Sequence, residues 1–398
     1  MKKSVAIIGC SALPIGKWQT RPEDANQVLE HEVLAKLVVE AVRQAGIDKS
    51  DVQGLSFAMN RHYTLQKYFA TFMANYLRLP CHGTVSEVLG NGMTGGWAFE
   101  NAANDILLGR ARVSLALGIN FETAARAQDH MMSSMRATGD VDFQSTFGIS
   151  PIAWYAMDAT RYIHEHGSSR EELASVAVKN RLHASMNPLA QFRKPITLEE
   201  VLAQRPIVEP LGLYEVPPRS DGAVVLVLAD EEYAKGLGKP YVRVRGRGFF
   251  HEGAHQISEI PNDMTAFASV TGASRQAYET AGVTAADIDV AELYAPCTIV
   301  EVLASEALGL TPVGKGARWA SEGRTSLGGD MPISTSGGLT SRGHPAYVTP
   351  LYSFVEIYEQ LLGLAGERQV QGAELGLTSA ELGNYNAALV HILEGVHQ

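Results

Sequence analysis

One eight-residue segment occurs twice in this chain, and that recurrence limits the fold more than any other feature. Ala45-Gly46-Ile47-Asp48-Lys49-Ser50-Asp51-Val52 returns 236 positions later as Ala281-Gly282-Val283-Thr284-Ala285-Ala286-Asp287-Ile288. Each copy follows a helical pattern (34–44 and 268–280) and precedes an apolar stretch, the signature of a helix stopped by glycine and followed by a strand. A second pair matches in the same way, Asp105-Ile106-Leu107-Leu108-Gly109 with Glu359-Gln360-Leu361-Leu362-Gly363. Strand-like runs open both halves (4–9 and 241–244) and close both (223–228 and 387–393). Chance similarity of two amphipathic segments would not repeat four features in one order, so the chain reads as an α/β protein of two duplicated β-α-β-α-β halves.

The halves are not equal. Between the third strand of the first (113–118) and its closing strand lies an insertion, 120–221, with scattered Pro, Met and His and two helical patterns (153–166 and 170–184). It reads as a lid or dimer-facing loop domain. The expected division is 1–119 with 222–236 as the first half, 120–221 as the insertion, and 237–398 as the second half.

Charge and cysteine usage narrow the function classes. A formal net charge of -10 over 398 residues supplies no basic field for phosphates, which argues against a nucleic-acid partner. With 45% hydrophobic and 19% charged residues, the chain has ample material for a core. Cys10, Cys81 and Cys297 form no CxxC pair, which argues against a disulfide framework or a zinc ribbon and for a reducing cytoplasm. The start, with Lys2 and Lys3 before a short apolar run, reads as a first strand and not as a leader. No apolar stretch is long enough to span a bilayer.

The most distinctive segment is Ser336-Gly337-Gly338-Leu339-Thr340-Ser341-Arg342-Gly343-His344-Pro345, where glycines permit close backbone approach and a histidine is fixed before proline. It resembles the Gly-His-Pro loop of thiolases, specifically the sterol-carrier-protein-x type. The resemblance runs along most of the chain: Val176-Ala177-Val178-Lys179-Asn180-Arg181, Asn187-Pro188, Pro195-Ile196-Thr197, Ser220-Asp221-Gly222-Ala223 and Ala291-Glu292-Leu293-Tyr294. It implies the thiolase fold, a five-layered αβαβα core, and a homodimer.

Thiolases carry the acyl group on a cysteine at the start of a helix. Counting back from Ala102-Ala103-Asn104-Asp105, the family's Cys-x-Ser-Gly-Gly falls on Gly92-Met93-Thr94-Gly95-Gly96, so position 92 has no thiol. Tyr294 stands where thiolases place Asn or His, and Tyr347 stands just after Gly343-His344-Pro345-Ala346. Together these resemble the cysteine-less retro-aldolases of steroid side-chain breakdown. That resemblance implies cleavage of a β-hydroxyacyl-CoA, steroid or otherwise bulky, to a ketone and a short acyl-CoA. It also implies a small OB-fold zinc-ribbon partner forming a heterotetramer, and no cofactor beyond the CoA carried by the substrate.

The chemistry then needs a base for the β-hydroxyl and donors for the thioester enolate. The expected roles are His344 as donor to the thioester oxygen, with Tyr294 and Tyr347 as the acid-base pair. That assignment requires one phenol below its ordinary pKa of about 10. Gly92 and Gly343 line the pocket, and Asp263 either assists a tyrosine or caps a helix. Cys297, three residues after Tyr294, is the candidate nucleophile if the chain is instead a thiolase with a relocated thiol. A non-catalytic acyl-CoA-binding subunit is the third reading. His251 and His255 have metal-like spacing without a third ligand and read as surface or pocket histidines, with no metal. His130, Met131, Met132 and Met135 read as lid packing. The segment 294–297 lacks the family's acidic residue, and 378–384, read as a closing loop, lacks its glycine pair.

Overall fold

The computed structural model describes residues 3–18, 29–58, 66–123, 139–252, 263–383 and 386–397. Its strands are β1 (Val5–Ala12), β2 (Gly54–Ala58), β3 (Val85–Val88), β4 (Val113–Phe121), β5 (Pro206–Val208), β6 (Leu211–Gly212), β7 (Asp221–Asp230), β8 (Tyr241–His251), β9 (Val290–Glu292), β10 (Leu375–Glu381) and β11 (Ala387–Val396). The described helices of eight residues or more are α1 (Glu30–Ala45), α2 (Phe69–Tyr76), α3 (Thr94–Leu107), α4 (Pro151–His166), α5 (Arg170–Ser185), α6 (Ala268–Ala281), α7 (Thr298–Ala307) and α8 (Thr349–Leu361).

Nine strands form one sheet in the order β3-β2-β4-β7-β1-β8-β11-β10-β9, and β5 pairs with β6 apart from it. The halves meet where β1 runs antiparallel to β8, Ile7 opposite Val242. Period-two alternation divides the apolar residues between two faces. Val5, Ile7, Leu226 and Leu228 face a core shared with α3 and α8, whose Phe99 and Phe354 rings stack at 3.9 Å. Ala6, Ile8, Val225 and Val227 face the opposite way, onto α1. In the second half, α6 covers β8 and β11. The layers run α1, half-sheet, α3 with α8, half-sheet, α6, which is the expected αβαβα order.

The repeat is a packing repeat. Gly46 and Gly282 both end their helices at positive φ, 75° and 67°, and each is followed by a capping box, Asp48 with Asp51 and Thr284 with Asp287. Gly9 of β1 lets Ala41 and Ala45 of α1 approach so closely that an added Cβ would lie 2.7 Å from Ala41 O. Gly246 of β8 plays the same part against Ala277 and Ala281 of α6. A side chain at either glycine would push helix off sheet.

Some expected boundaries shift. β4 runs on to Phe121 and β7 starts at Asp221, because Phe121 and Asp221 still pair across the sheet. The segment read as a closing loop at 378–384 is mostly strand: Thr378 to Glu381 pair with β11, and Thr378 also with Glu292 of β9. The described part of the insertion is packed structure. From α5, Lys179 donates to Glu301 Oε1 (2.5 Å) and Ile333 O (2.8 Å), Asn180 to Glu301 Oε2 (2.9 Å), and Arg181 to Ser341 Oγ (3.2 Å). Asn187 donates to Ser336 O (2.9 Å). The motif 176–181 therefore clamps the glycine-rich segment that carries His344. His130 and Met131, Met132 and Met135 lie outside the described residues, as does His255.

Candidate active site

Gly92 sits in a short 3-10 turn, Asn91–Met93, that leads into α3. Two loops of the second half close over it. A Cβ at position 92 would lie 2.6 Å from both Cζ and Oη of Tyr294 and would collide with Glu381 O. The Tyr294 phenol thus occupies the space that any side chain at 92 would need. Tyr294 itself follows β9, and its backbone N–H donates to Ser379 Oγ of β10 at 3.3 Å.

His344 faces Tyr294 edge-on, with ring centroids 5.4 Å apart and Nε2 3.4 Å from Tyr294 Oη. Its Nδ1 is 3.1 Å from Thr349 Oγ1, and that hydroxyl donates to Pro345 O at 3.1 Å. With the hydroxyl hydrogen committed there, Nδ1 carries the ring proton and Nε2 offers a lone pair to the phenol. In this resting arrangement His344 is an acceptor toward Tyr294. Burial, then the neighbouring Arg342 charge, hold the imidazole down to about 3, so it is neutral. The backbone of His344 is fixed by its N–H to Ser220 Oγ (3.0 Å). Gly343 before it has φ of 112° and would press a Cβ into Ile15.

Two residues before each of these groups lies one member of a buried ion pair. Arg342 Nη1 is 3.3 Å from Glu292 Oε2, and Ser336 donates to the same carboxylate through N (2.9 Å) and Oγ (2.8 Å). Burial raises Glu292 to about 7 against the pull of Arg342. The pair ties the end of β9 to the segment that carries His344.

A model of the thiolase N-terminal domain matches residues 5–232, and one described as thiolase C-terminal domain-like matches 251–395. This chain belongs to the thiolase superfamily.

Its relatives point the same way. An acetyl-CoA acetyltransferase of Methanothermobacter thermautotrophicus is 31% identical over 98% of this chain and 99% of its own length. Sterol carrier protein 2 of Oryctolagus cuniculus is 35% identical over 61% of this chain and 46% of that one. Among solved structures, one titled Ltp2-ChsH2(DUF35) aldolase aligns with a TM-score of 0.83 and 26% identity, covering 98% of this chain and 97% of that one.

For a thiolase-superfamily chain the state of the thiols matters most. Cys297 is wholly buried at the start of α7, and burial raises its thiol well above the ordinary range, with Glu215, Asp158 and Glu381 adding to the effect. A helix N-terminus favours a thiolate, but here burial outweighs it. Cys10 is buried and raised too, and Cys81 is pushed up to about 11. Asp263 caps no helix: its Oδ1 closes a local turn, accepting from Thr265 N (2.9 Å), Thr265 Oγ1 (2.7 Å) and Ala266 N (3.2 Å), and α6 begins only at Ala268 after Phe267, with no side-chain cap. His251 ends β8, and among the described residues no group of three or more His, Cys, Asp or Glu could hold a metal ion. No described helix is long and apolar enough to cross a membrane.

The two phenols differ from expectation. Tyr294 is raised well above 10 by burial and by Glu381, Glu122 and Tyr347, and Tyr347 rises to about 12 by burial and Glu122. Neither is the lowered phenol that a tyrosine base requires. Both remain proton donors at neutral pH. The two causes named here, Glu122 and Glu381, are buried carboxylates that sequence reading missed. Glu122 carried one signal, a charged residue directly after a fully buried strand, where α/β sheets place their ligands.

Proposed function

We propose that this protein is a carbon–carbon lyase that splits a β-hydroxyacyl-CoA by retro-aldol cleavage into a ketone and a shorter acyl-CoA. One observation carries the reading: the Tyr294 phenol stands where a thiolase's nucleophilic side chain would begin, above Gly92. Acyl transfer needs a thiolate at that point, and the three thiols of the chain are held protonated elsewhere by burial. Retro-aldol cleavage needs no covalent intermediate. Tyr347 would give its proton to the enolate carbon, and Tyr294, whose one hydroxyl hydrogen rests on His344 Nε2, would turn that hydrogen to the enolate oxygen when the substrate is bound.

The aldolase title of the solved neighbour supports this reading, whereas the name of the full-length acetyltransferase relative favours acyl transfer from a β-ketoacyl-CoA. Free CoA separates them, since thiolysis consumes one CoA per bond cleaved and a retro-aldol step consumes none. The test is product formation from a β-hydroxyacyl-CoA bearing a bulky cyclic group, with no CoA added. CoA enters as part of the substrate, and no further cofactor is required. We place the assembly as a homodimer with an OB-fold partner of the DUF35 kind, supported by the half-exposed edge strand β3 and by the partner named in the neighbour's title.

A further inference from the structure

With both phenols protonated and the weakly basic His344 lone pair turned to Tyr294, the retro-aldol reading needs a further proton acceptor for the β-hydroxyl. Glu122 supplies the missing chemistry. It directly follows β4, is 3% exposed, and its Oε1 has no hydrogen-bond partner. The Oδ1 of Asn120, two residues earlier on the same face of β4, is also buried without a partner, while its Nδ2 donates to Ser220 O (3.2 Å) and the same amide favours the Glu122 carboxylate. An unpaired buried acceptor is costly to the fold. Two such atoms together mark a place built for a donor that arrives with a ligand.

The position is fixed from both sides. Arg219 Nη2 donates to the Glu122 backbone carbonyl at 2.7 Å, and the backbone N–H of Ala346, between His344 and Tyr347, favours the Glu122 carboxylate from the other side. The charged groups that bear on it are Arg219, which favours the carboxylate, and Asp221, which opposes it. Tyr294 and Tyr347 both feel the charge of Glu122 in turn.

We propose that Glu122 Oε1 accepts the hydrogen bond of the substrate's β-hydroxyl and is the base of the cleavage, an inference that rests on the retro-aldol reading. The carboxylate takes the hydroxyl proton, the oxygen's electron pair forms the ketone, and the Cα–Cβ pair moves onto the thioester as an enolate. A tyrosine phenol gives its proton to Cα and is restored by the proton on Glu122. No proton is gained or lost overall. The same oxygen sets specificity: a β-hydroxyl donates to it, whereas a β-ketone can only repel it.

Burial raises Glu122 to about 7, so kcat/KM of the wild type rises with pH through an acid limb near that value. Glu122→Gln keeps the shape and removes the base: kcat falls about a hundredfold or more, and the limb disappears. Glu122→Ala loses similar activity and regains part of it with added formate or acetate, which a merely structural residue would not do. A wild-type profile flat from pH 5.5 to 8 overturns the proposal, as does a Glu122→Gln enzyme within threefold of wild type. In either case cleavage without CoA still stands. If the wild type cleaves no β-hydroxyacyl-CoA, the retro-aldol reading fails and the role of Glu122 with it.

Discussion

Tyr294 and Gly92 exclude each other's alternatives: the phenol lies 2.6 Å from where a Cβ at position 92 would be, so a side chain at 92 and this tyrosine rotamer cannot coexist. Restoring the thiolase residue therefore does not restore a thiolase. Gly92→Cys is expected to lose lyase activity and gain no CoA-dependent acyl transfer. Its stability should fall by about 1–3 kcal/mol from overpacking against Tyr294 and the Glu381 carbonyl. Thermal melts with a thiolysis assay check both parts.

Thiol chemistry should be dispensable. Replacing Cys10, Cys81 and Cys297 together by Ala or Ser is expected to leave kcat within a few-fold of wild type. Cys297→Ala alone removes a buried sulfur and lowers stability by about 1 kcal/mol without changing turnover. Loss of turnover from Cys297→Ala at an unchanged melting temperature would return the relocated-nucleophile reading.

Tyr294→Phe and Tyr347→Phe should each lower kcat by about a hundredfold to ten-thousandfold, with little change in substrate affinity. Because His344 acts by holding Tyr294 Oη, removing the phenol should absorb most of the effect of His344→Gln. Kinetic parameters of the two single variants and the double variant measure the coupling. Additive losses would show that His344 touches the substrate independently.

How much of this was legible in the sequence depended on how local the chemistry was. Gly46 and Gly282, with their capping boxes, announce helix ends because caps are made from residues within one turn, so the duplication and the fold could be read directly. Gly92 could be located by counting from the α3 motif. Asp263 was read as a helix cap or a helper of a tyrosine, and its hydrogen bonds to Thr265 and Ala266 instead close a turn ahead of α6, whose N-cap is Phe267. Glu122 offered only its place at the end of β4, because its meaning depends on Ala346 approaching from more than two hundred residues away. The direction of the phenol shifts was hidden for the same reason: Tyr294 rises because distant loops bury it beside Glu122 and Glu381.

Acid stability should report on buried neutral histidines. His183 Nδ1–H donates to Ser334 O (3.0 Å), and Nε2 accepts from Leu327 N–H (3.0 Å), so protonation breaks a bond as well as burying charge. Burial first, then Lys179, lower it from 6.5 to about 3. The unfolded chain therefore binds a proton that the folded chain refuses between these values. The stability contributed is complete above pH 6.5 and is lost as pH falls toward 3, at up to about 1.4 kcal/mol per pH unit for this group. Denaturant unfolding at stepped pH measures the slope, and His183→Gln should make it shallower.

The central claim is that carbon–carbon cleavage here proceeds without a thiol nucleophile, from the enzyme's own or from CoA. The most direct measurement is a single-turnover reaction of purified enzyme, alone and with the proposed OB-fold partner, on a bulky β-hydroxyacyl-CoA in the absence of free CoA, with products identified by mass. The account predicts one equivalent each of ketone and shorter acyl-CoA, at a rate unchanged by adding CoA and with no acylated enzyme. Cleavage that consumes one CoA per turnover, or an acyl group found on the protein, would contradict it.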